Sequence, residues 1–138
     1  MLNANTWQIE LEGSELARIE LSGADVVIVL AAARVPAGLP GQRDEPASGH
    51  LQGVRIHLMA SRWEGPAHDL VGRIDEAAWT CEKKGATSLR APLIAPSSGV
   101  TPIRLSLRTA LGDTWWVHSQ TWRVELLAGC RFTPSLAC

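Results

Sequence analysis

A chain of 138 residues is long enough for one domain with a real core and short for two. Its 46% hydrophobic content is ordinary for a globular protein. The 13 basic against 14 acidic side chains leave a net charge of -1, which gives no general field for nucleic acid or an anionic membrane and does little to hold copies apart.

The expectation is therefore a single domain over residues 1–138, with neither nucleic acid nor membrane as a partner. Val26 to Ala33, the longest apolar stretch, is too short to span a bilayer as a helix. The N-terminus carries no basic start followed by an apolar run, so no signal peptide is indicated. Cys81, Cys130 and Cys138 cannot all pair within one chain, and no Cys-x-x-Cys spacing occurs. Reduced thiols in the cytoplasm are the simplest account, with a Cys130–Cys138 bridge left open for oxidising conditions.

Period two runs through the chain. Trp7, Ile9 and Leu11 share one parity, Gln8, Glu10 and Glu12 the other, which predicts a half-buried strand. Gly13 and Ser14 read as a turn. Ala17, Ile19 and Leu21 then alternate with Arg18 and Glu20, so the two strands are expected to form a hairpin before a second turn at Ser22 to Asp25. Val26 to Val35 is apolar on both parities and predicts a central strand, because its β-branched start outweighs the three alanines that follow. Pro36 to Gly49, rich in proline and glycine around a charged centre, reads as a long loop.

Alternation resumes at Val54, Ile56, Leu58 and Ala60. This strand echoes the earlier one: Ile28, Leu30, Ala32 and Arg34 align with Ile56, Leu58, Ala60 and Arg62 at a constant offset of 28. Either a duplication or a shared packing problem accounts for that. Glu64 to Asp69 reads as a turn, and Leu70 to Trp79 as a strand kinked at Gly72, with a short amphipathic helix as the alternative. Pro92 and Pro96 break the next segment into an edge strand and a loop. Ile103, Leu105 and Leu107 open the clearest hairpin, which turns at Leu111 to Asp113 and returns through the tryptophans. Seven or eight strands with hairpin links predict an all-β fold, a small antiparallel barrel or a two-sheet sandwich.

No motif fixes a reaction. The histidines His50, His57, His68 and His118 include no His-x-His pair, so neither a metal nor another cofactor is expected. A nucleophile elbow, a P-loop and a dinucleotide fingerprint are all missing. An enzyme would have to draw on His57, Glu64, His118 or Asp75, brought together by the fold. Asp75 and Glu76 near Trp79 could form an acid with a raised pKa, or simply a turn beside a core aromatic. Arg104, Arg108 and Arg123 are too few beside the tryptophans to make a nucleic-acid groove.

The chemistry concentrates in Trp115 to Trp122, which holds three of the six tryptophans. In one regular strand, Trp116, His118, Gln120, Trp122, Val124 and Leu126 share a face. Trp122, Val124 and Leu126 match the core, so His118 and Gln120 would also enter it and would need hydrogen-bond partners. A β-bulge near Ser119 would resolve this by turning Trp115 and Val117 inward and His118 outward. Alternatively, Trp116, His118, Gln120 and Trp122 line a small-ligand pocket. Adjacent tryptophans also put one indole on each sheet face, which makes Trp115 (or Trp116) an interface candidate. The leading expectation is a structural or binding protein acting through a homo-oligomer or a protein partner. A small-ligand binder and an enzyme of unspecified class are the alternatives.

Overall fold

Alternation becomes nine strands in the computed structural model, which describes residues 6–36, 48–67, 70–81, 89–90, 93–110, 112 and 114–134. They are β1 (Trp7–Ser22), β2 (Asp25–Val35), β3 (Gly49–Glu64), β4 (Gly72–Cys81), β5 (Leu89–Arg90), β6 (Leu93–Ala95), β7 (Ser97–Gly99), β8 (Ile103–Thr109) and β9 (Thr114–Pro134). Most of the Pro36 to Gly49 loop lies outside the described residues, as do His68, Asp69, Asp113 and Cys138. Val26 to Val35 and Gly72 to Cys81 are strands, in keeping with the reading that favoured strand over helix at both places.

All pairings are antiparallel. The order β4–β8–β9–β3–β2–β1 returns to β4 through Glu15 opposite Arg73 and Leu16 opposite Gly72, so the strands close a ring. Each backbone hydrogen bond contributes only ~0.5–1.5 kcal/mol net. Leu16 and Ile74 beside this short seam are buried, and each buried aliphatic side chain contributes ~1.5–3 kcal/mol. Packing, more than pairing, therefore holds the seam. At the other end of β1, Trp7 to Ile9 pair with β6, while β7 pairs with Val124 to Trp122 of β9. The cis peptide bond before Pro96 lies between β6 and β7.

The expected turn at Gly13 and Ser14 is a bulge inside one continuous strand. Glu10 faces Arg34 and Glu15 faces Ala32, so the residues between them loop out of the ladder without reversing the chain. Ser14 holds the bulge: its buried Oγ donates to the Glu10 carbonyl at 2.7 Å and accepts the Arg34 N–H at 2.8 Å. The hairpin partner of β1 is accordingly β2, joined through the turn at Ser22 to Asp25.

The inward face also changes partway along the strands. On β3, Val54, Ile56 and Leu58 are buried, and then Ser61 and Trp63 are the more covered residues between exposed Arg62 and Glu64. On β9, Trp115, Val117 and Ser119 are buried, and then Val124. No slip occurs in the ladder between them, since Met59 faces Thr121 and Ser61 faces Ser119. Both strands therefore crease together at Ala60 and Gln120. Ala60 takes a φ of 50° there, a left-handed conformation. Side chains satisfy the backbone around the crease: Ser119 Oγ lies 2.7 Å from the Met59 and Thr121 carbonyl oxygens, and Ser61 donates to the Ala24 carbonyl through N–H and Oγ. β2 does the same, with Leu30 inward and then Ala33 and Val35. Ile28 lies directly opposite Ile56, so the echo at offset 28 marks two neighbouring strands with one inside–outside pattern.

Candidate interaction surface

The crease decides the fate of the tryptophan strand. Trp115, Val117 and Ser119 have no exposed surface, whereas Trp116 and His118 lie half-buried on the outer face. Gln120 is exposed at the crease itself. Trp122, past the crease, turns inward: it meets the buried Trp79 edge-on, with ring centroids 5.3 Å apart at 89°, and packs closely against Gly99. Trp116, His118, Gln120 and Trp122 thus fall on two faces and do not line one cavity. Trp115 has no surface to offer a partner and belongs to the core, so the outward indole is that of Trp116. The face switch expected near Ser119 is present, but it takes the form of a crease shared with β3 and not a bulge in β9 alone.

Pairing brings together residues that lie far apart in sequence. Across the outer face, Arg62 of β3, His118 of β9, Arg104 of β8 and Thr80 of β4 form one row. Glu64, Trp116, Ser106 and Ala78 form the next. Arg104 sets its guanidinium over the Trp116 ring, 5.4 Å from the centroid. Such a contact contributes ~0.5–1 kcal/mol at an exposed site and orients both groups. Neither Arg62 nor Arg104 has an ion-pair partner among the described residues, whereas Arg108 pairs with Glu76 at 2.6 Å and Arg73 with Asp75 at 3.5 Å. In the latter two pairs both carboxylates face an arginine on the outside, whereas the Trp79 indole is inside.

Farther along the outer face, His57 Nε2 and Glu125 Oε1 are 2.7 Å apart. The hydrogen bond from His57 holds the Glu125 carboxyl below its ordinary value, with the positive charges of Arg123 and Arg55 acting the same way. A depressed carboxylate pKa contributes stability that is full above the ordinary value of 4.5 and is lost as pH falls through the folded value. Glu125→Gln is therefore expected to lower the urea midpoint slightly near neutral pH, with the gap from wild type closing below pH 4.5. The pair is partly exposed, so the effect is small. A gap that stays constant through the acid range would remove this assignment.

His57 is five positions from Arg62 along β3, roughly 16 Å at the rise of an extended strand, and Arg62 is the neighbour of His118. Asp75 lies on β4 in a different cleft. His57, His118 and Asp75 therefore do not converge on one reacting centre, and no group of three or more His, Cys, Asp or Glu among the described residues is placed to hold a metal ion. Open clefts among the described residues include two. One of about 520 Å³ lies at the β1 bulge between Glu12, Glu15, Arg34, His50, Arg73 and Asp75. The other, of about 390 Å³, runs along β7 past Ser97, Ser98, Arg123 and Glu125. Neither includes Trp116, His118, Gln120 or Trp122. Inside the ring, Ile28, Ile56, Leu58, Leu105, Leu107, Trp115 and Val117 pack as core.

Arg62 had no signal of its own in the sequence as a site residue. Only the β3–β9–β8 pairing places it in line with His118 and Arg104. No helix among the described residues is long and apolar enough to cross a membrane, which leaves strands unaddressed. Comparison with protein-family models, curated proteins and solved structures finds no match.

Proposed function

We propose that this all-β chain works by protein–protein association through the outer face of β3, β9 and β8, centred on Trp116. The observation that carries the reading is Trp116 held outward beneath Arg104, with Arg62 one strand beyond His118. Tryptophan and arginine are the side chains that most often dominate binding energy at protein interfaces. The packed ring interior favours a surface role over a ligand carried inside. A cytoplasmic location is part of the proposal and rests on Cys81 and Cys130 as free thiols.

A second copy is the first partner to test, because it needs no other component. Light scattering across a concentration series tests that partner: self-association through this face would be weakened about tenfold or more by Trp116→Ala. The unfolding midpoint should move little, since Trp116 is outside the core. A wild type that stays monomeric throughout the series would exclude self-association. Wild-type and Trp116→Ala proteins that associate equally would exclude this face.

A further inference from the structure

If the Trp116 face is where protein docks, its charge says what it docks. A two-fold contact of this face with itself, centred on the Arg62–His118–Arg104 row, would bring Arg62 and Arg104 of one copy toward the same arginines of the other. Like charges facing each other across an interface oppose association. The face instead asks for negative charge at both ends and an apolar group between. We infer that its occupant is a carboxylate-rich segment of a partner protein, with acidic side chains on Arg62 and Arg104 and an apolar side chain on the Trp116 ring.

Three observations converge on this. The row Arg62–His118–Arg104 spans three adjacent strands of one ladder, so the two arginines arise on either side of β9, roughly 10 Å apart between strand axes, with the Arg104 guanidinium over the Trp116 ring. Neither arginine is neutralised by an acidic neighbour among the described residues, although Arg18, Arg34, Arg73 and Arg108 all are. The residues in line with Trp116 on β8 and β4 are small, Ser106 and Ala78, and Arg104 reaches over the ring from the neighbouring row. Planar guanidinium groups suit carboxylates because they donate two parallel hydrogen bonds.

The test uses the full chain and a defined probe, the peptide Glu-Glu-Leu-Glu-Glu with both termini blocked, followed by tryptophan fluorescence or calorimetry. Comparison probes are the Lys-Lys-Leu-Lys-Lys peptide and a short oligothymidylate. The acidic peptide is expected to bind, to weaken as salt is raised, and to lose about tenfold or more in affinity when Arg62→Glu and Arg104→Glu are combined. Arg62→Lys with Arg104→Lys should restore part of that loss, because charge returns without the planar fork. Equal denaturation midpoints for all variants exclude misfolding as the cause. Tighter binding of the oligothymidylate, or of the basic peptide, overturns the assignment. So does acidic-peptide binding that ignores the double Arg→Glu change, or no acidic-peptide binding at all. Self-association that survives the Arg→Glu changes but is lost in Trp116→Ala would overturn the acidic occupant while leaving the docking face in place. Indifference of both self-association and peptide binding to Trp116→Ala would remove the docking face too.

Discussion

Trp115→Ala is expected to lower the unfolding free energy by about 3–5 kcal/mol, the range found when a buried tryptophan is cut to alanine. Trp115 has no exposed surface and is the largest fully buried side chain of the molecule's described residues. It sits on β9 between β3 and β8, opposite Leu107, and its Cδ1 reaches toward Gly65 at the end of β3. Removing the indole therefore opens a cavity that touches three strands of the ring, and a strand pinned on both sides has little room to collapse into it. Trp115→Phe is expected to be much milder. The indole Nε1 is buried with no hydrogen-bond partner among the described residues, so phenylalanine discards an unsatisfied donor along with part of the packing. Denaturant titration of both variants checks this. A loss below about 1 kcal/mol for Trp115→Ala would place the residue at a surface and reverse the inward–outward assignment of Trp115 and Trp116.

Gly65→Ala carries the second large effect, about 2–4 kcal/mol, from two causes that act together. Gly65 has a φ of 110°, a conformation that side chains of L-residues rarely adopt. A Cβ there would also stand 2.7 Å from the Thr114 carbonyl oxygen and 3.1 Å from the Trp115 Cα. Those are backbone atoms of a strand held by two neighbours, so they cannot step aside cheaply. Gly72 provides the control, with a φ of 97° and no atom near the position of an added Cβ. Gly72→Ala is expected to lose about 1 kcal/mol from strain alone. If the two substitutions cost the same, close approach to β9 contributes nothing at Gly65.

The strands themselves were legible. Alternation at Ile103, Leu105 and Leu107, the β-branched start of β2 and the turn at Ser22 to Asp25 all led to the elements observed, because each is a local property of a few neighbouring residues. Gly13 and Ser14 misled for a physical reason. A glycine with positive φ beside a hydroxyl residue serves a turn and a bulge equally well, and only the strand alongside decides which forms. In β1 that strand is β2, which continues past the irregularity and keeps Glu10 opposite Arg34.

The candidate site was legible only in part. The sequence by itself determined that Trp115 and Trp116 point to opposite faces, since a strand has period two. It also determined that the even-numbered residues from Trp116 to Leu126 could not all enter the core without burying His118 and Gln120. Which indole goes inside was decided by the tertiary structure. Each parity of β9 can meet the core, one before Gln120 and the other after it, and the change of face is settled where β3 creases alongside at Ala60. The alignment of Arg62, His118 and Arg104 was decided there as well, because ladder register joins residues by their pairing partners and not by their distance along the chain.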